Sequence, residues 1–237
     1  MEQKALMYEG KAKRVYLTDN PELLIVDYKD NATAFNGLKK GLICGKGIIN
    51  NKMTNLLMQR LESEGIPTHF VKELSDRKTI VKKVEIIPLE VIVRNFAAGS
   101  FSQRYGVEEG KIFDTPVIEF SYKNDDLGDP LLNTFHARAL HLATEKEIET
   151  ITQYAFAVNR HLSTFWDTCD VILVDFKIEF GRLSDGTIVL ADEISPDTCR
   201  LWDRETGEKL DKDRFRRDLG GVEEAYVEVM ERLLNHI

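Results

Sequence analysis

One ten-residue segment restricts the fold of this chain more than any other. Residues 171–180 read VILVDFKIEF, a run of apolar side chains followed by a strict alternation of charged and apolar ones. A continuous apolar run is typical of a strand covered on both faces, and the alternation places Asp175, Lys177 and Glu179 on one face of its second half. Asp-Gly at positions 185 and 186 is a strong hairpin signal. The segment therefore predicts the first strand of a hairpin in a buried sheet, with charged side chains on part of one face.

The register of this hairpin brings two carboxylates together. If the Asp-Gly pair forms a two-residue turn, Glu179 lies opposite Asp192 in the second strand. Cβ atoms of paired residues are roughly 5 Å apart, and two carboxylates at that distance repel by about 3 kcal/mol at an effective dielectric constant of about 20. Either one carboxyl is protonated or a cation lies between them, and two carboxylates completed by substrate phosphates suit Mg²⁺. We predict that Glu179 and Asp192 ligate Mg²⁺ and that Asp175 and Lys177 flank the ion; the alternative is a solvent-facing edge whose charges are hydrated.

The remaining patterns predict an α+β protein with two lobes that meet at Pro88. Residues 1–87 indicate a small antiparallel sheet that carries one helix, and residues 88–237 indicate a larger α+β lobe. Strands followed by helices and then by strands favour this class over a regularly wound βαβ arrangement. The predicted strands are 5–8, 14–17, 23–28, 79–84, 89–93, 171–180 and 188–194. The predicted helices are one that contains Met53, Leu57 and Leu61, a short one at 101–105, a long one capped by Thr144 and Glu147, and a C-terminal one whose buried face holds Val222, Ala225, Tyr226, Val229 and Leu233.

The charge of the chain excludes some partners and is divided unevenly. With 32 basic and 40 acidic residues the net charge is −8, which disfavours nonspecific nucleic-acid binding because such binding needs a basic surface. Residues 1–86 hold 15 basic and 11 acidic residues, whereas 87–237 hold 17 and 29. The first residues lack a signal-peptide pattern, no apolar run reaches the ~18 residues of a membrane span, and the scattered cysteines fit a reducing compartment. We therefore expect a cytoplasmic protein without a nucleic-acid or membrane partner.

Two groups of lysines in the first lobe are candidates for binding phosphates. Gly10-Lys11-Ala12-Lys13 lies between two predicted strands. Glycine lets the backbone approach a phosphate closely and the lysines supply charge, although a solvated hairpin turn is the alternative. Lys82 or its neighbour Lys83 could add a further cation from a strand.

A second set of candidates lies in the larger lobe. Arg94 ends an apolar strand and precedes the small residues 97–100, where a helix is predicted to start. A guanidinium beside backbone N–H groups suits a phosphate, and Arg200 could reach the same anion. The alternatives are Arg94 in a structural ion pair and Ser100 as a plain helix cap. The loop 123–130, which contains Lys123 and Asp129, offers donors and acceptors for a polar substrate.

One charged segment carries little weight as a site candidate. Residues 211–217 read DKDRFRR, and their alternating sign predicts an exposed helical turn. The histidines show no metal-ligand spacing, and neither Cys44 nor Cys199 has a neighbouring histidine, so nucleophilic catalysis has no support.

Several of these segments together resemble the SAICAR synthetase family in its bacterial single-chain form. The segments that carry the resemblance are 86–100 (IIPLEVIVRNFAAGS), 173–181 (LVDFKIEFG), and 192–197 (DEISPD) with 200–203 (RLWD). The resemblance implies a two-lobed α+β fold related to protein kinases and ATP-grasp enzymes. It also implies an ATP-dependent carbon–nitrogen ligase of purine biosynthesis, which joins L-aspartate to carboxyaminoimidazole ribotide (CAIR) and yields SAICAR, ADP and phosphate, with an acyl phosphate as the intermediate.

The resemblance also implies roles for individual residues. The ATP phosphates would be held by Gly10, Lys11, Ala12 and Lys13 with help from Lys82, and adenine would lie near residues 84–87. Mg²⁺ would be ligated by Glu179 and Asp192. The ribotide 5′-phosphate would be bound by Arg94, Ser100 and Arg200. The imidazole end would be oriented by Asp175 and Lys177, with Lys123 and Asp129 as further substrate contacts and Arg216 or Arg217 as a cation for L-aspartate.

Two other functions remain open from the sequence. A small-molecule kinase with a hydroxyl acceptor could use the same Mg-ATP site, but it would normally carry a catalytic aspartate followed four or five residues later by an asparagine, and no such HRD-like segment is present. A catalytically silent nucleotide-binding module would not need Glu179, Asp192 and Lys177 together. The sequence does not distinguish a monomer from a homo-oligomer.

Overall fold

The first part of the chain forms a sheet with one long helix. The computed structural model describes residues 1–34 and 37–237. The elements of this part are β1 (Gln3–Glu9), β2 (Lys13–Thr18), β3 (Leu23–Tyr28), β4 (Asn31–Ala34), β5 (Lys39–Leu42), α1 (Lys46–Ser63), β6 (Phe70–Ser75), β7 (Lys78–Lys82) and β8 (Glu85–Ile86). Five strands form an antiparallel sheet in the order β1-β2-β3-β7-β6, and β4 pairs with β5 as a separate hairpin.

The second part of the chain forms a larger sheet that is packed against helices. Its elements are β9 (Leu89–Phe96), α2 (Gly99–Tyr105), β10 (Ile112–Tyr122), a 3₁₀ helix (Asp125–Leu127), β11 (Leu131–Leu132), α3 (Thr134–Ala139), α4 (Glu145–Thr168), β12 (Val171–Arg182), β13 (Ile188–Ala191), β14 (Cys199–Asp203), α5 (Asp213–Arg216) and α6 (Val222–Leu234). The main strand order is β11-β10-β9-β12-β13, and β14 and β8 also pair with β12. This mixture of antiparallel sheets and helices confirms the predicted α+β class. Among the helices in the two described ranges, none is long and apolar enough to cross a bilayer.

The predicted capping box of α4 is present, and it explains why the helix begins where it does. The Glu147 backbone N–H donates to Thr144 Oγ1 at 3.3 Å, and the Glu147 carboxylate accepts from the Thr144 backbone N–H at 2.7 Å. These bonds satisfy donors that the first helical turn would otherwise leave free. The face that the sequence pattern assigns to the core is buried against β12 and β9.

The hydrophobic cores do not follow the predicted boundary at Pro88. Met53, Leu57 and Leu61 of α1 are buried in the large core with residues of α4 and β12. The first sheet keeps only a small cluster of its own around Val26 and Tyr28. The strand β8 also pairs with β12, so residues before Pro88 contribute both a helix and a short strand to the larger lobe.

The predicted hairpin register is wrong by one residue. Glu179 pairs with Ala191, and the loop has three residues because the Leu183 backbone N–H donates to the Thr187 carbonyl at 2.9 Å. Gly186 adopts a left-handed φ of 85°, as is usual for the last residue of a three-residue hairpin loop. The strand β13 also ends at Ala191 instead of continuing to residue 194.

Candidate active site

Three cavities adjoin one another, because the central one shares lining residues with each of the other two. A polar cavity of about 420 Å³ is lined by the β1–β2 turn, β12, the segment after β13 and α5. An arginine cavity of about 160 Å³ is lined by Arg94, Asp175, Lys177, Arg200 and Arg216, among others. An apolar cavity of about 410 Å³ lies on the other side, against the first sheet. We use these three names below.

The β1–β2 turn forms one wall of the polar cavity. Gly10, Lys11, Ala12 and Lys13 all line it, and the Gly10 backbone N–H closes the turn by donating to the Lys13 carbonyl at 2.8 Å. The Lys11 ammonium lies 2.7 Å from Asp125, and the Lys13 ammonium contacts Asp192 and lies 3.0 Å from Glu193. The turn therefore carries its lysines across to the acidic residues of the larger lobe.

Lys82 occupies a different place from Lys11 and Lys13. Its ammonium donates to the Thr68 carbonyl at 2.9 Å and lines the apolar cavity, not the polar one. The structure thus brings Lys82 into the same cavity as Lys13 but not as Lys11, because β7 ends beside the apolar cavity. Of the predicted adenine segment, Val84 and Ile86 line that same cavity. Its other walls include apolar side chains of the first sheet, such as Val26, and suit a planar base.

Glu179 and Asp192 share both the polar and the apolar cavity despite the corrected register. Asp192 follows the end of β13 with a left-handed φ of 61°, so its side chain does not follow the alternation of the strand. Burial and the nearby charge of Asp192 raise the pKa of Glu179. Burial opposes the ionisation of Asp192 as well, but the charges of Lys13 and Lys177 outweigh it and lower the pKa of Asp192 to about 2.

The carboxylate pair fits a divalent cation of the Mg²⁺ type. Both groups offer hard oxygen atoms to one cavity, and each is compensated by a lysine ammonium: Lys123 lies 2.8 Å from Glu179, and Lys13 contacts Asp192. Within residues 1–34 and 37–237 there is no group of three or more His, Cys, Asp and Glu side chains arranged to hold a metal. Mg²⁺ commonly uses one or two protein carboxylates and takes its remaining ligands from phosphates and water, so two carboxylates suffice.

Lys177 stands at the junction of the polar and arginine cavities. Its ammonium contacts Glu90 and lies 3.8 Å from Glu179. Burial favours the neutral amine, but the charges of Glu90 and Glu179 raise the pKa of Lys177 well above its ordinary value, so the side chain stays positively charged. Glu90 is a site residue that sequence reasoning missed; Lys177 pairs with Ile92, and Glu90 lies two residues along the same face.

The arginine cavity is built on a row of charges across three neighbouring strands. Asp175 of β12 pairs with Arg94 of β9 on one side and with Arg200 of β14 on the other. The Asp175 carboxylate accepts from Arg94 at 2.6 Å and from Arg200 at 2.8 Å. Arg94 also donates to Glu119 at 2.7 Å and to Ser100 Oγ at 3.3 Å. Arg94 therefore forms a structural ion pair and also lines the arginine cavity. Ser100 contacts Arg94 and does not itself line the cavity.

The two loop candidates have different settings. Lys123 bonds Glu179, as described above, and lines both the polar and the apolar cavity. Asp129 lines the polar cavity with a left-handed φ of 50°, and its carboxylate accepts from the Asn124 backbone N–H at 2.9 Å. This bond fixes the loop that carries both residues.

The prediction of an exposed turn at residues 211–217 is wrong. Asp211 and Asp213 are buried, and Lys212 and Arg216 line the polar cavity. Arg217 differs from Arg216: its side chain is 47% exposed and pairs with Glu109 at 2.9 Å. The alternating charges are buried because each acid meets a partner from another part of the chain, which a local pattern does not reveal.

Asp197 is a second residue that sequence reasoning missed. It is buried, and its carboxylate accepts from Lys46 at 2.8 Å, from Lys212 at 3.4 Å and from the Tyr226 hydroxyl at 2.6 Å. Burial opposes its ionisation, but the charges of Lys212 and Lys46 lower the pKa of Asp197. The only sequence signal for Asp197 is its place in the family-like segment 192–197. Asp197 lines the polar and the arginine cavity and joins α1, α5 and α6 there.

Comparisons with known proteins identify the family of this chain. Residues 6–233 match the family model described as SAICAR synthetase. The phosphoribosylaminoimidazole-succinocarboxamide synthase of a Thermoanaerobacter species is 63% identical over 233 residues, which cover 98% of this chain and 99% of that protein. The crystal structure of the synthase from Ehrlichia chaffeensis superposes with a TM-score of 0.96 at 47% identity, covering 98% of this chain and 99% of that one. A SAICAR synthetase solved in complex with ADP gives a TM-score of 0.93 at 46% identity, with 95% and 96% coverage. The chain therefore belongs to the SAICAR synthetase family.

Proposed function

We propose that this protein joins L-aspartate to the carboxylate of CAIR with cleavage of ATP to ADP and phosphate, giving SAICAR. One observation carries the proposal: a single polar cavity holds the turn lysines and the Glu179–Asp192 pair, and Lys177 connects it to the arginine cavity. A nucleotide, a metal and a second phosphorylated substrate can therefore meet there. The name of the Thermoanaerobacter relative and the ADP complex of the related synthetase support this assignment.

The nucleotide would lie across the apolar and polar cavities. The adenine base would occupy the apolar cavity beside Val84 and Ile86, and the phosphates would meet Lys11 and Lys13. Both lysines are bonded to carboxylates in this structure, so they are already directed toward the region where the phosphates would lie. The proposed position of adenine does not need Lys82 to reach the phosphates.

Glu179 and Asp192 would hold Mg²⁺ between the nucleotide and the ribotide. When bound there, Mg²⁺ would neutralise charge on the phosphates and on the substrate carboxylate. The protein's own contribution is to keep both carboxylates in one cavity with flexible lysines as partners. Lys13 and Lys123 can then turn from these carboxylates to the phosphates. Each ammonium stays paired with an anion, because a phosphate takes the place of a carboxylate.

The ribotide would occupy the arginine cavity. Arg94 and Arg200, with Ser100 beside Arg94, would bind its 5′-phosphate, since guanidinium groups donate several hydrogen bonds in a fixed plane. Asp175 would keep the two guanidiniums in position and face the imidazole end together with Lys177. In this placement the ribotide carboxylate points toward Lys177 and the polar cavity, where Lys123 and Asp129 are further contacts.

L-aspartate would bind at the α5 end of the polar cavity. Its two carboxylates need cations, and Lys212 and Arg216 line that end, whereas Arg217 lies outside on Glu109. Burial and the neighbouring charge of Arg216 lower the pKa of Lys212, although Asp197 works in the opposite direction. A carboxylate of L-aspartate bound beside Lys212 would favour its charged form.

The chemistry follows in two balanced steps. A carboxylate oxygen of the ribotide attacks the γ-phosphorus of ATP, the bond to the bridging oxygen breaks, and ADP leaves as an acyl phosphate forms. The aspartate amine then attacks the acyl carbon, the carbon–oxygen bond to phosphate breaks, and one proton is released from the nitrogen. Lys177 stays positively charged at the junction, where it can balance the charge of the reacting carboxylate.

Phosphate release tests the proposal directly. The purified protein is assayed with ATP, Mg²⁺, CAIR and L-aspartate, and each component is omitted in turn. We expect release only in the complete mixture, with SAICAR formed in equal amount. Release at an undiminished rate without L-aspartate would contradict the ligase. Formation of ADP without phosphate would indicate a phosphotransferase, and formation of neither would indicate a silent nucleotide-binding protein.

A further inference from the structure

We propose that Asp213 is a positioning residue that fixes the guanidinium groups of Arg200 and Arg216 for the two anionic substrates. The inference rests on the proposed function, because it concerns how the ribotide and L-aspartate sites are held together. Asp213 lies in the segment that its sequence pattern predicts to be exposed, but it is only 5% exposed.

A single carboxylate connects two arginines from different elements. Asp213 Oδ2 accepts from Arg200 Nε at 2.8 Å, and Oδ1 accepts from Arg216 Nη1 at 2.6 Å. Arg200 is in β14 and lines the arginine cavity, whereas Arg216 is in α5 and lines both the arginine and the polar cavity. Asp213 is not among the residues that line the polar or the arginine cavity in the described part of the chain, so it contacts the two arginines from outside these cavities.

The other groups around Arg200 leave its orientation dependent on Asp213. Arg200 Nη1 donates to both carboxylate oxygens of Asp175, at 2.8 and 3.1 Å, but Asp175 Oδ2 also accepts from Arg94 and so is shared. Nη2 of Arg200 lies against Gly99, whose missing side chain makes room for it. The bond from Nε to Asp213 is thus the second contact that sets the plane of the guanidinium, and it comes from a residue that does not line the arginine cavity.

Asp213 is itself held in place by the side chain of Asp211. Its N–H donates to Asp211 Oδ1 at 2.7 Å, and Asp211 Oδ2 accepts from the Leu201 N–H at 2.8 Å. These two bonds fasten the start of α5 to β14. Burial opposes the ionisation of Asp213, but the charges of Arg200 and Arg216 lower its pKa, so the carboxylate is charged when it meets both arginines.

The test is Asp213→Asn, with steady-state kinetics measured for each of the three substrates. The amide keeps the size of the side chain but can satisfy at most one arginine and carries no charge, so both guanidiniums lose their fixed orientation. We expect the KM values for CAIR and for L-aspartate each to rise about tenfold or more, the KM for ATP to stay within about twofold, and kcat to stay within about threefold, as for lost ground-state binding. A residue with a merely structural role would lower the amount of active enzyme and leave all three KM values unchanged.

Asp203→Asn is the matched control. It neutralises a buried carboxyl of β14 that pairs with Arg232 of α6 at 2.6 Å and lines none of the three cavities. We expect a lower melting temperature with all three KM values within about twofold of the wild type. Equal rises in KM for both variants would overturn the inference, because the effect would then come from the loss of any buried acid–arginine pair.

A second variant covers the case in which Asp213→Asn does not fold. Asp213→Glu keeps the charge and moves the carboxylate by one methylene group, so we expect rises of about threefold in the KM values for CAIR and L-aspartate alone. With an active wild-type enzyme, unchanged KM values in the folded variants overturn the role of Asp213 and leave the proposed function standing. A wild-type enzyme that is inactive with these substrates contradicts both.

Discussion

Two pairs of acidic residues lie within this molecule's sites, and they are compensated in different ways. Glu179 and Asp192 face open cavities and are balanced by the lysines Lys123 and Lys13. Asp211 and Asp213 are buried and are balanced by backbone N–H groups and by arginines. A lysine ammonium sits on a flexible chain and can be replaced by a metal, whereas guanidinium and backbone donors fix the geometry of the acid they meet.

An acid that is paired with a lysine can exchange the lysine for a metal ion, whereas an acid that is paired with arginines keeps them in a fixed position. The lysine-balanced pair can accept Mg²⁺ at the cost of moving two side chains. The arginine-balanced acid can lose its partners only if β14 and α5 also move. We therefore expect variants of the first pair to change the chemical step, and variants of the second to change substrate affinity or stability.

The largest expected effect is that of Glu179→Gln. Loss of one metal-binding carboxylate should lower kcat by about a thousandfold or more, because charge neutralisation in phosphoryl transfer contributes several kcal/mol. The melting temperature should be unchanged or higher, since burial and the charge of Asp192 disfavour the charged form of Glu179. Enzyme assays at several Mg²⁺ concentrations and thermal unfolding measure the two effects.

An exposed glutamate near the same strand provides the control. Glu85 of β8 has a 77% exposed side chain and pairs with Arg182 of β12. Glu85→Gln should leave kcat and its Mg²⁺ dependence within about twofold of the wild type. Full activity of Glu179→Gln at low Mg²⁺ would show that this carboxylate pair does not bind the metal.

The sequence identifies Glu179 and Asp192 from the alternation of β12, which is correct, and from a hairpin register that is wrong by one residue. Local patterns are sufficient for β12 and for the capping box of α4, because alternation and capping depend on residues close in the chain. The register of the hairpin depends on the loop, and the three-residue loop shifts it by one. Asp192 still reaches the cavity because its left-handed backbone ends the strand, and no pattern in the sequence specifies that conformation.

The arginine-balanced pair could not be found in this way. Burial of Asp213 depends on Arg200, which lies thirteen positions earlier on another element. The contact between Lys177 and Glu90 likewise requires β9 to lie next to β12, although 87 positions separate the two residues. Such contacts follow from strand order, which a single sequence does not specify, and so the contacts of Glu90, Asp197 and Lys212 are visible only in the structure.

A smaller effect is expected from Gly99→Ala, which tests the arginine side of the comparison. Gly99 has φ +52°, and a Cβ there would collide with the guanidinium of Arg200. Displacing that group should raise the KM for CAIR by about tenfold with little change in the KM for ATP. Steady-state kinetics with each substrate varied in turn measures this selectivity.

Gly106 is a matched control at the other end of α2. Its φ of +63° imposes the same backbone strain on alanine, but a Cβ at Gly106 would meet no atom within 4 Å. Both variants should lose about 1 kcal/mol of stability from strain, and only Gly99→Ala should change the KM for CAIR. Equal KM values in the two variants would show that the position of Arg200 does not set ribotide affinity.

The smallest expected effect is that of Glu147→Gln, an arginine-balanced acid outside the cavities. Glu147 accepts from Arg182 Nε at 2.5 Å and from the Thr144 N–H at 2.7 Å, and these hydrogen bonds outweigh burial and lower its pKa from 4.5 to about 2. The free energy of unfolding at pH 7 should fall by about 1.5–2 kcal/mol, with kcat and all KM values unchanged.

The stability lost in Glu147→Gln should depend on pH. Because the folded protein lowers the pKa of Glu147, the stabilisation is fully present above the ordinary value of 4.5 and is lost as the pH falls toward about 2. Urea unfolding of wild type and Glu147→Gln should therefore converge between these pH values, while Glu145→Gln, whose carboxylate is 71% exposed, should match the wild type throughout. A gap of constant size down to pH 2 would mean that Glu147 acts through its shape and not its charge. It would also show that pairing with an arginine does not by itself make the stabilisation by an acid depend on charge.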